Sequence, residues 1–337
     1  MRALYPLSLI YSFLYKLDRG FSKPKKLHKP VISVGNITLG GTGKTSIVIE
    51  LLKLLVKNEL NPTVLTRGYL RKTKKPVILK NGGLNVDVSV SGDEPMLIAK
   101  TVPDASVIVG ADRYANAIKF ANKENTDVYV LDDGFQHWSI KRDLDIVCIN
   151  AFNPFGNGML IPAGILRESV NALRRADILI LTNSDMINQT KLENLQSKIL
   201  NLTGKAPIVT CYSSFEYKTL DLKTDFDIKV LTEMSLYSLS AVGFASGFKN
   251  SILKSGLKIK GSIILRDHSS FGNKFLNNIV NKKYRNTYFI VTAKDAVKFE
   301  NIDESIKRKV IVLKVLPEFI TGKNQWEKSI LSILRSF

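Results

Sequence analysis

The chain has 337 residues, 45% of them hydrophobic, which suffices for one large or two modest domains with a packed core. Two cysteines in apolar, strand-like runs and three histidines exclude a disulfide framework and a Cys/His metal cluster. The net charge of +19 favours an anionic membrane or a phosphorylated substrate over nucleic acid, for which no binding motif is present, although part of it can equally be a solvated lysine-rich surface.

The first predicted element is an apolar helix near the N-terminus. Residues 3–15 are mostly apolar or aromatic, and a series of basic residues follows: Lys16, Arg19, Lys23, Lys25 and Lys26. The run is shorter than the roughly 20 residues that cross a bilayer, and no cleavage site marks a secretory signal. Tyrosines at headgroup depth and a basic collar predict a helix lying in the membrane interface. The alternative is a helix packed on the protein's own core.

The second element is a strand that runs into a glycine-rich turn and then into a helix. Residues 31–45 read VISVGNITLGGTGKT, and apolar residues at helical spacing follow over residues 47–57. This is the layout of a phosphate-binding loop (P-loop), in which backbone amides and the helix N-terminus hold phosphates. Lys44 would reach the β- and γ-phosphates, and the Thr45 hydroxyl would ligate Mg²⁺. Thr38 replaces the first glycine of the usual motif, and an ordinary glycine-rich turn is the alternative.

The nucleotide-binding residues predicted from this segment are Thr38, Leu39, Gly40, Gly41, Thr42, Gly43, Lys44 and Thr45.

Apolar runs alternate with helical patterns along the rest of the chain. Predicted strands cover residues 31–34, 62–65, 106–109, 128–131, 146–149, 178–181, 208–211, 262–265, 288–291 and 310–313. Helical patterns at 47–57, 95–100 and 113–122 lie between several of them, and residues 325–334 form an amphipathic helix. This alternation predicts an α/β fold with a mostly parallel, doubly wound sheet. We expect an N-terminal segment 1–28, a nucleotide-binding domain 29–149 and a second, smaller α/β lobe 150–337.

An acidic pair precedes a helical pattern at residues 91–95, SGDEP. A kinase that acts on an alcohol needs a carboxylate that positions the hydroxyl and accepts its proton, and Asp93 is the candidate. An Asp before Glu-Pro is equally typical of a helix start. The residues leave both interpretations open.

A second acidic pair ends an apolar strand at residues 128–134, VYVLDDG. An acid in that place, as in a Walker B motif, can hold Mg²⁺ opposite Thr45, so Asp132 and Asp133 are metal candidates. A turn Asp-Gly is the alternative. His137 lies just beyond this pair, which places it near the phosphates if the assignment holds.

Two further segments bear on the chemistry. His268 follows Asp267 after a strand, and the Asp could fix its tautomer, although a solvent-facing His in a turn is the common alternative. Residues 182–185, TNSD, lack the Lys of the guanine-reading NKxD segment, so ATP is favoured over GTP.

Taken together, these segments resemble the tetraacyldisaccharide 4'-kinase family of lipid A biosynthesis. The matching segments run in family order over nearly the whole chain: residues 34–45, 65–69 (LTRGY), 92–95 (GDEP), 112–113, 131–137 (LDDGFQH), 157–168, 267–271 and 292–298 (TAKDAVK). The resemblance implies ATP-dependent phosphorylation of the 4' hydroxyl of a tetraacylated, 1-phosphorylated glucosamine disaccharide, with Mg²⁺. It also implies an anionic glycolipid substrate, a peripheral enzyme on the cytoplasmic face of the bacterial inner membrane, and no obligate protein partner.

The resemblance also implies roles for residues on the acceptor side. Asp93 would orient and deprotonate the sugar hydroxyl, with support from His268. Arg113 and His137 lie in motifs that could contact the phosphate or sugar of the lipid.

On the nucleotide side, the resemblance assigns Lys44 and the loop amides to ATP. Thr45, Asp132 and Asp133 would serve Mg²⁺, and Glu94 is a further metal candidate.

The chain departs from the family pattern in residues 240–248, SAVGFASGF. The segment usually reads x-G-I-G-x-P-x-x-F, whereas Ala241 replaces the first glycine and Ala245 the proline. The departure puts the geometry of this loop in question more than the chemistry.

A different class of function also fits the loop, namely a membrane-recruited P-loop ATPase switch that binds a protein partner. The phosphate-binding loop of those proteins departs from the usual motif and often begins with a Lys. This chain has Leu39 at that position. The kinase is therefore favoured.

Overall fold

The computed structural model describes residues 4–220, 222, 224–267, 269–284, 286–299 and 302–335. These residues form a 12-stranded sheet, whose strands in chain order are β1 Val31–Gly35, β2 Pro62–Thr66, β3 Val77–Leu79, β4 Ser106–Val109, β5 Val128–Asp132, β6 Leu144–Asn150, β7 Ile178–Thr182, β8 Ile208–Lys218, β9 Leu236–Ser240, β10 Gly261–Ile264, β11 Tyr288–Thr292 and β12 Val310–Phe319. Their order across the sheet is β10-β9-β11-β12-β8-β7-β6-β1-β5-β2-β4-β3. Strands β1, β5, β6, β2, β4 and β7 pair in parallel, whereas the edge strand β3 is antiparallel to β4. The predicted α/β fold with a mostly parallel sheet is therefore confirmed.

The strands follow the apolar runs of the sequence closely. Two strands, β3 and β9, are not predicted from the sequence. The first has three residues, and the second alternates Leu with buried serines, which hides its apolar character.

Helices connect the strands. Their bounds are α1 Tyr5–Phe21, α2 Lys44–Lys57, α3 Val88–Ser91, α4 Asp93–Thr101, α5 Arg113–Glu124, α6 Gln189–Thr203, α7 Ile228–Thr232, α8 Ala245–Lys254, α9 Asn273–Leu276, α10 Ala293–Ala296, α11 Glu304–Lys307 and α12 Lys323–Arg335. A 3₁₀ turn, Val297–Phe299, continues α10. A π-helical segment, Asn277–Lys283, continues α9.

Alternate residues of the central strands face two different cores. In β5, Val128 and Val130 pack with α2, α4 and α12, whereas Tyr129 and Leu131 pack with α5. Since successive side chains of a strand point to opposite faces, the sheet has helices on both sides. Such a sheet leaves the carboxyl ends of its strands open for a ligand.

The sheet continues beyond Asn150, where sequence analysis places the start of the second lobe. Strand β7 pairs in parallel with β6, and the first residues of β8 pair with β7. The rest of β8 pairs antiparallel with β12, which leads into β11, β9 and β10. Strand β8 therefore joins the first half of the sheet, through β7, to the second half, through β12. The domain boundary predicted at residue 150 stays a prediction.

Helix α1 packs on the protein through one polar face. The buried Ser8 hydroxyl donates to the Leu160 carbonyl (2.9 Å) and accepts from the Ala163 amide (3.1 Å), and the Tyr11 hydroxyl donates to the Arg167 carbonyl (3.0 Å). Large apolar side chains of this segment are exposed, most of them away from Ser8 and Tyr11: Leu4, Tyr5, Leu7, Leu9, Ile10, Phe13, Leu14, Leu17 and Phe21. Within the described part of the chain, no helix has the length and apolar content needed to cross a bilayer.

Candidate active site

The glycine-rich loop joins β1 to α2 with the backbone geometry of a phosphate cradle. Gly40 and Gly43 have φ angles of 100° and 73°, which side chains disfavour, and Gly43 directly precedes α2. The buried Asn36 amide donates to the Thr38 carbonyl (2.8 Å) and to the Thr42 hydroxyl (3.0 Å). The loop is thus held open in front of the helix N-terminus, where an anion is favoured.

Side chains at the ends of two neighbouring strands hydrogen-bond to the backbone of the loop. At the end of β6, the Asn150 amide donates to the Gly41 carbonyl (3.0 Å), and at the end of β7 the Thr182 hydroxyl donates to the Thr42 carbonyl (3.0 Å). These contacts turn the loop carbonyls toward the protein. Its amides can therefore face a ligand.

Leu39 lies on the outer side of the loop. Its amide donates to the Ile165 carbonyl (2.7 Å), and its side chain is exposed. The preceding Thr38 forms an isolated antiparallel β-bridge with Leu166. The segment after β6 therefore holds the first residues of the loop.

Lys44 is the first residue of α2 and contacts Asp133, the residue that follows β5. Its Nζ lies 3.3 Å from Asp133 Oδ1, and Thr45 follows it, half-buried. Arg167 Nη1 donates to both carboxylate oxygens of Asp133 (3.0 and 2.8 Å). Burial opposes ionisation of Asp133, but the charges of Lys44 and Arg167 outweigh it and lower the pKa of this carboxyl. Asp133 is therefore ionised and shared between two cations.

Asp132 is in the opposite electrostatic situation. It ends β5, is buried, and accepts a hydrogen bond from the Thr66 hydroxyl (2.9 Å). Burial raises the pKa of Asp132 to about 6, and the negative charges of Glu94 and Asp133 contribute. A buried carboxylate that is repelled by two other carboxylates is a favourable position for a cation.

Asp93 is the first residue of α4 and is buried. One carboxylate oxygen accepts from the Glu94 amide (3.1 Å), and the other lies 3.7 Å from Lys298 Nζ and 3.9 Å from Lys294 Nζ. Glu94 pairs with Lys294 at 2.8 Å. The helix-start interpretation and the acceptor-side interpretation of Asp93 are thus compatible, since one oxygen serves the helix and the other faces charged groups.

A cavity of about 440 Å³ opens beside Asp93. Its lining combines apolar, hydroxyl and cationic side chains, among them Tyr69, Leu70, Lys72, Ser89, Asp93, Phe271 and Lys298. A second molecule can therefore reach Asp93 through this cavity. Its lining is mostly apolar with a few polar and charged groups, which suits an amphipathic acceptor.

Arg113 contacts Asp133, and the charge of Arg113 acts on His137. The buried Arg113 Nη1 donates to the Asp133 carbonyl (3.3 Å), and burial lowers the pKa of Arg113 against the opposing charges of the acids. His137 Nε2 lies 3.0 Å from the Ser139 hydroxyl. Burial and the charges of Arg113 and Arg142 lower the pKa of His137 to about 4, so its ring is neutral near pH 7.

His268 lies outside the described residues. Its neighbour Asp267 is described, and Asp267 Oδ1 lies 4.0 Å from Lys294 Nζ. The role of His268 stays a prediction.

The loop that departs from the family pattern retains an ordered start of α8. Ala241 is buried and its amide donates to Asp295 Oδ2 (3.1 Å), and Ala245 is the first residue of α8. The first helical residue has no intrahelical partner for its amide, so Ala fits where Pro is expected. The two substitutions are therefore compatible with the observed backbone.

Sequence analysis assigned no role to three cations of this site. Arg167, Lys294 and Lys298 lie in the segments 157–168 and 292–298, which carry the family resemblance, and each contacts an acid of the site. The family motifs that contain these residues were the sequence signal from which a role in the site could have been inferred. Their partners are distant in sequence, so only the fold could pair them.

These features define the class of the protein. The central strand of a parallel sheet runs into a glycine-rich phosphate loop, acids lie at the end of the neighbouring strand, and a cavity leaves room for a second molecule. A protein with this combination is a P-loop phosphotransferase.

Comparison with known proteins gives the family. A model described as "Tetraacyldisaccharide-1-P 4'-kinase" matches residues 1–335, and the chain belongs to this family. The chain is 33% identical to the tetraacyldisaccharide 4'-kinase of Elusimicrobium minutum over 332 residues, covering 95% of this chain and 86% of that one. It is 34% identical to the one of Aquifex aeolicus over 280 residues, covering 80% and 83%.

A solved structure agrees with this assignment. The crystal structure of LpxK from Aquifex aeolicus in complex with ATP has a TM-score of 0.78 and 30% sequence identity, with 99% of both chains covered. The predictions of a P-loop α/β protein, an ATP-dependent kinase and a member of lipid A biosynthesis are confirmed.

Proposed function

We propose that this chain transfers the γ-phosphate of ATP to the 4' hydroxyl of tetraacyldisaccharide 1-phosphate, with Asp93 as the base. The observation that carries the assignment is the position of Asp93. It lies on the wall of the 440 Å³ cavity, and the adjacent Glu94 acts electrostatically on Asp132 at the nucleotide side. A hydroxyl in the cavity would thus lie beside the carboxylate of Asp93, whose neighbour Glu94 acts on the nucleotide side.

In this reaction the 4' oxygen forms a bond to the γ-phosphorus, and the bond to the β–γ bridging oxygen breaks. The hydroxyl proton passes to the carboxylate of Asp93, and ADP leaves. Lys44 and the amides of residues 40–45 stabilise the charge that develops on the phosphate oxygens.

The donor set near the loop suits Mg²⁺. The Thr45 hydroxyl and the carboxylates of Asp132 and Glu94 are hard oxygen ligands. The pKa of Asp132 is raised first by burial and then by the negative charges of Glu94 and Asp133, which a bound cation would offset. When bound, Mg²⁺ would neutralise charge on the β- and γ-phosphates. Asp133, already paired with Lys44 and Arg167, is better suited to orient these cations than to ligate metal directly.

Arg113 and His137 are proposed to contact the sugar or phosphate of the lipid, and His268 to support Asp93. The neutral ring of His137 would take part through hydrogen bonding rather than charge. Arg113 would supply the positive charge on this side.

We propose that α1 binds the cytoplasmic leaflet of the inner membrane peripherally. Its polar face is held by the protein, so its apolar face is presented outward in one orientation. The net charge of +19 favours an anionic lipid surface. The packing of one side of α1 on the protein is compatible with a membrane-interface role for its exposed side.

The test is transfer of labelled γ-phosphate from Mg·ATP to tetraacyldisaccharide 1-phosphate in detergent micelles. Asp93→Asn should lower kcat by roughly 10²–10⁴-fold and leave binding of an ATP analogue nearly unchanged. Label in lipid from neither protein, with ATP hydrolysis still present, would favour a nucleotide switch. Loss of ATP affinity in the variant would instead return Asp93 to a role at the helix start or the metal.

A further inference from the structure

Two lysines of the second half of the sheet reach the proposed base in the first half. Lys298 Nζ lies 3.7 Å from Asp93 Oδ2 and 2.8 Å from Asp295 Oδ1. Lys294 Nζ lies 3.9 Å from Asp93 Oδ2 and 2.8 Å from Glu94 Oε1. The carboxylate of Asp93 therefore faces two ammonium groups on one element.

The two lysines differ in how firmly they are held. The Lys298 side chain is 7% exposed, and its partner Asp295 is fully buried. Asp295 is itself fixed, since its other oxygen accepts from the Thr292 hydroxyl (2.9 Å) and the Ala241 amide (3.1 Å). A chain of contacts thus runs from the end of β11 through Asp295 and Lys298 to Asp93.

Lys298 also lies on the wall of the acceptor cavity. Its Nζ is 5.6 Å from the centroid of the buried Phe271 ring, which lines the same cavity and packs on Phe299. The ring and Asp295 leave the ammonium little freedom to move. A rigid cation beside a carboxylate fixes the direction of that carboxylate more than a mobile one does.

We propose that Lys298 is a positioning residue for the phosphoryl transfer. It holds Asp93 Oδ2 toward the acceptor cavity, and Asp295 in turn holds Lys298. The inference rests on the proposed role of Asp93. It assigns to the second half of the sheet a part in orienting the base, although the nucleotide binds on the first half.

Lys294 has a different role in this arrangement. It pairs with Glu94, it lies within 4.0 Å of Asp267, and these carboxylates with Asp93 raise its pKa against the effect of burial. Its contacts are thus distributed over three acids, whereas Lys298 acts on Asp93 and Asp295. The positioning role is therefore assigned to Lys298.

The test is a double-mutant cycle between Lys298 and Asp93 in the micelle transfer assay. Lys298→Met keeps the side-chain stem against Phe271 and removes the charge. It should lower kcat by about 10- to 100-fold with the KM for ATP within about twofold, and Lys298→Arg should restore part of the loss. In the Asp93→Asn background, Lys298→Met should change kcat by less than about twofold, because its target is gone.

Two controls keep the result decisive. Lys307→Ala removes a lysine that is also paired three residues away, with Glu304 at 2.9 Å, and should leave kcat unchanged. If Lys298→Met unfolds because Asp295 is left unpaired, Asp295→Asn/Lys298→Met removes both charges and replaces it in the cycle. Equal losses in the two Asp93 backgrounds, or a raised KM for ATP alone, would overturn the positioning role. Absence of lipid phosphorylation by the unmodified protein would instead overturn the proposed function.

Discussion

Asp132→Asn should stabilise the metal-free protein at neutral pH while impairing its kinase activity. The carboxyl is buried at the end of β5, and burial together with the charge of Glu94 raises its pKa to about 6 from the ordinary value of 3.8. A carboxyl with a raised pKa binds its proton more tightly in the folded state. The folded protein therefore loses stability as the pH rises between these two values, and the penalty is fully present above the folded pKa.

The size of the effect follows from the two pKa values. Ionisation of Asp132 costs the folded state about 2 kcal/mol at pH 5 and about 3 kcal/mol at pH 8. Asn removes this cost and can still bond to the Thr66 hydroxyl, which Asp132 accepts from at 2.9 Å. The stability advantage of the variant should thus grow by about 1 kcal/mol from pH 5 to pH 8.

The assay is urea unfolding of both proteins at pH 5 and pH 8 with EDTA present, followed by tryptophan fluorescence. Thr66→Val serves as a comparison, since it removes the hydrogen-bond donor and keeps the charge. Adding Mg²⁺ with a non-hydrolysable ATP analogue should reduce the advantage of Asp132→Asn, because a bound cation offsets the same charge. An advantage that is independent of pH, or a variant less stable at pH 8 than at pH 5 relative to the unmodified protein, would refute the reasoning.

Three further predictions concern the loop, the helix and the central strand. Lys44→Ala should lower phosphoryl transfer by about 10²-fold or more through lost charge stabilisation, and normal turnover would contradict the loop assignment. Phe13→Glu, on the apolar face of α1, should weaken binding to anionic vesicles in a flotation assay, whereas Ile264→Glu, equally exposed at 61% against 62%, should not. Gly35→Ala should lower the free energy of unfolding by roughly 1–3 kcal/mol, since its Cβ would lie 2.5 Å from Phe135 Cβ; an unchanged free energy of unfolding would show that the strand can shift.

Local patterns were sufficient to locate the nucleotide side of the site. A buried strand, glycines at fixed places and a Lys-Thr pair are neighbours in sequence, so residues 31–45 could be recognised together, and the acids after β5 follow an apolar run. The charge on these groups could not be predicted in the same way. Asp132 and Asp133 are adjacent in sequence, yet the pKa of one is raised and that of the other lowered. The difference arises because Lys44 and Arg167 both pair with Asp133, whereas burial dominates at Asp132.

By itself, the sequence determined the α/β class, the phosphate loop and the family, because strand-forming runs and motif residues are local. It also determined that the N-terminal segment is apolar. Only the tertiary structure decided that α1 presents one face outward, that the sheet continues through β7 and β8, and that Lys298 lies against Asp93. Those features depend on contacts between residues far apart in the chain, and the strand order of the folded sheet selects these contacts.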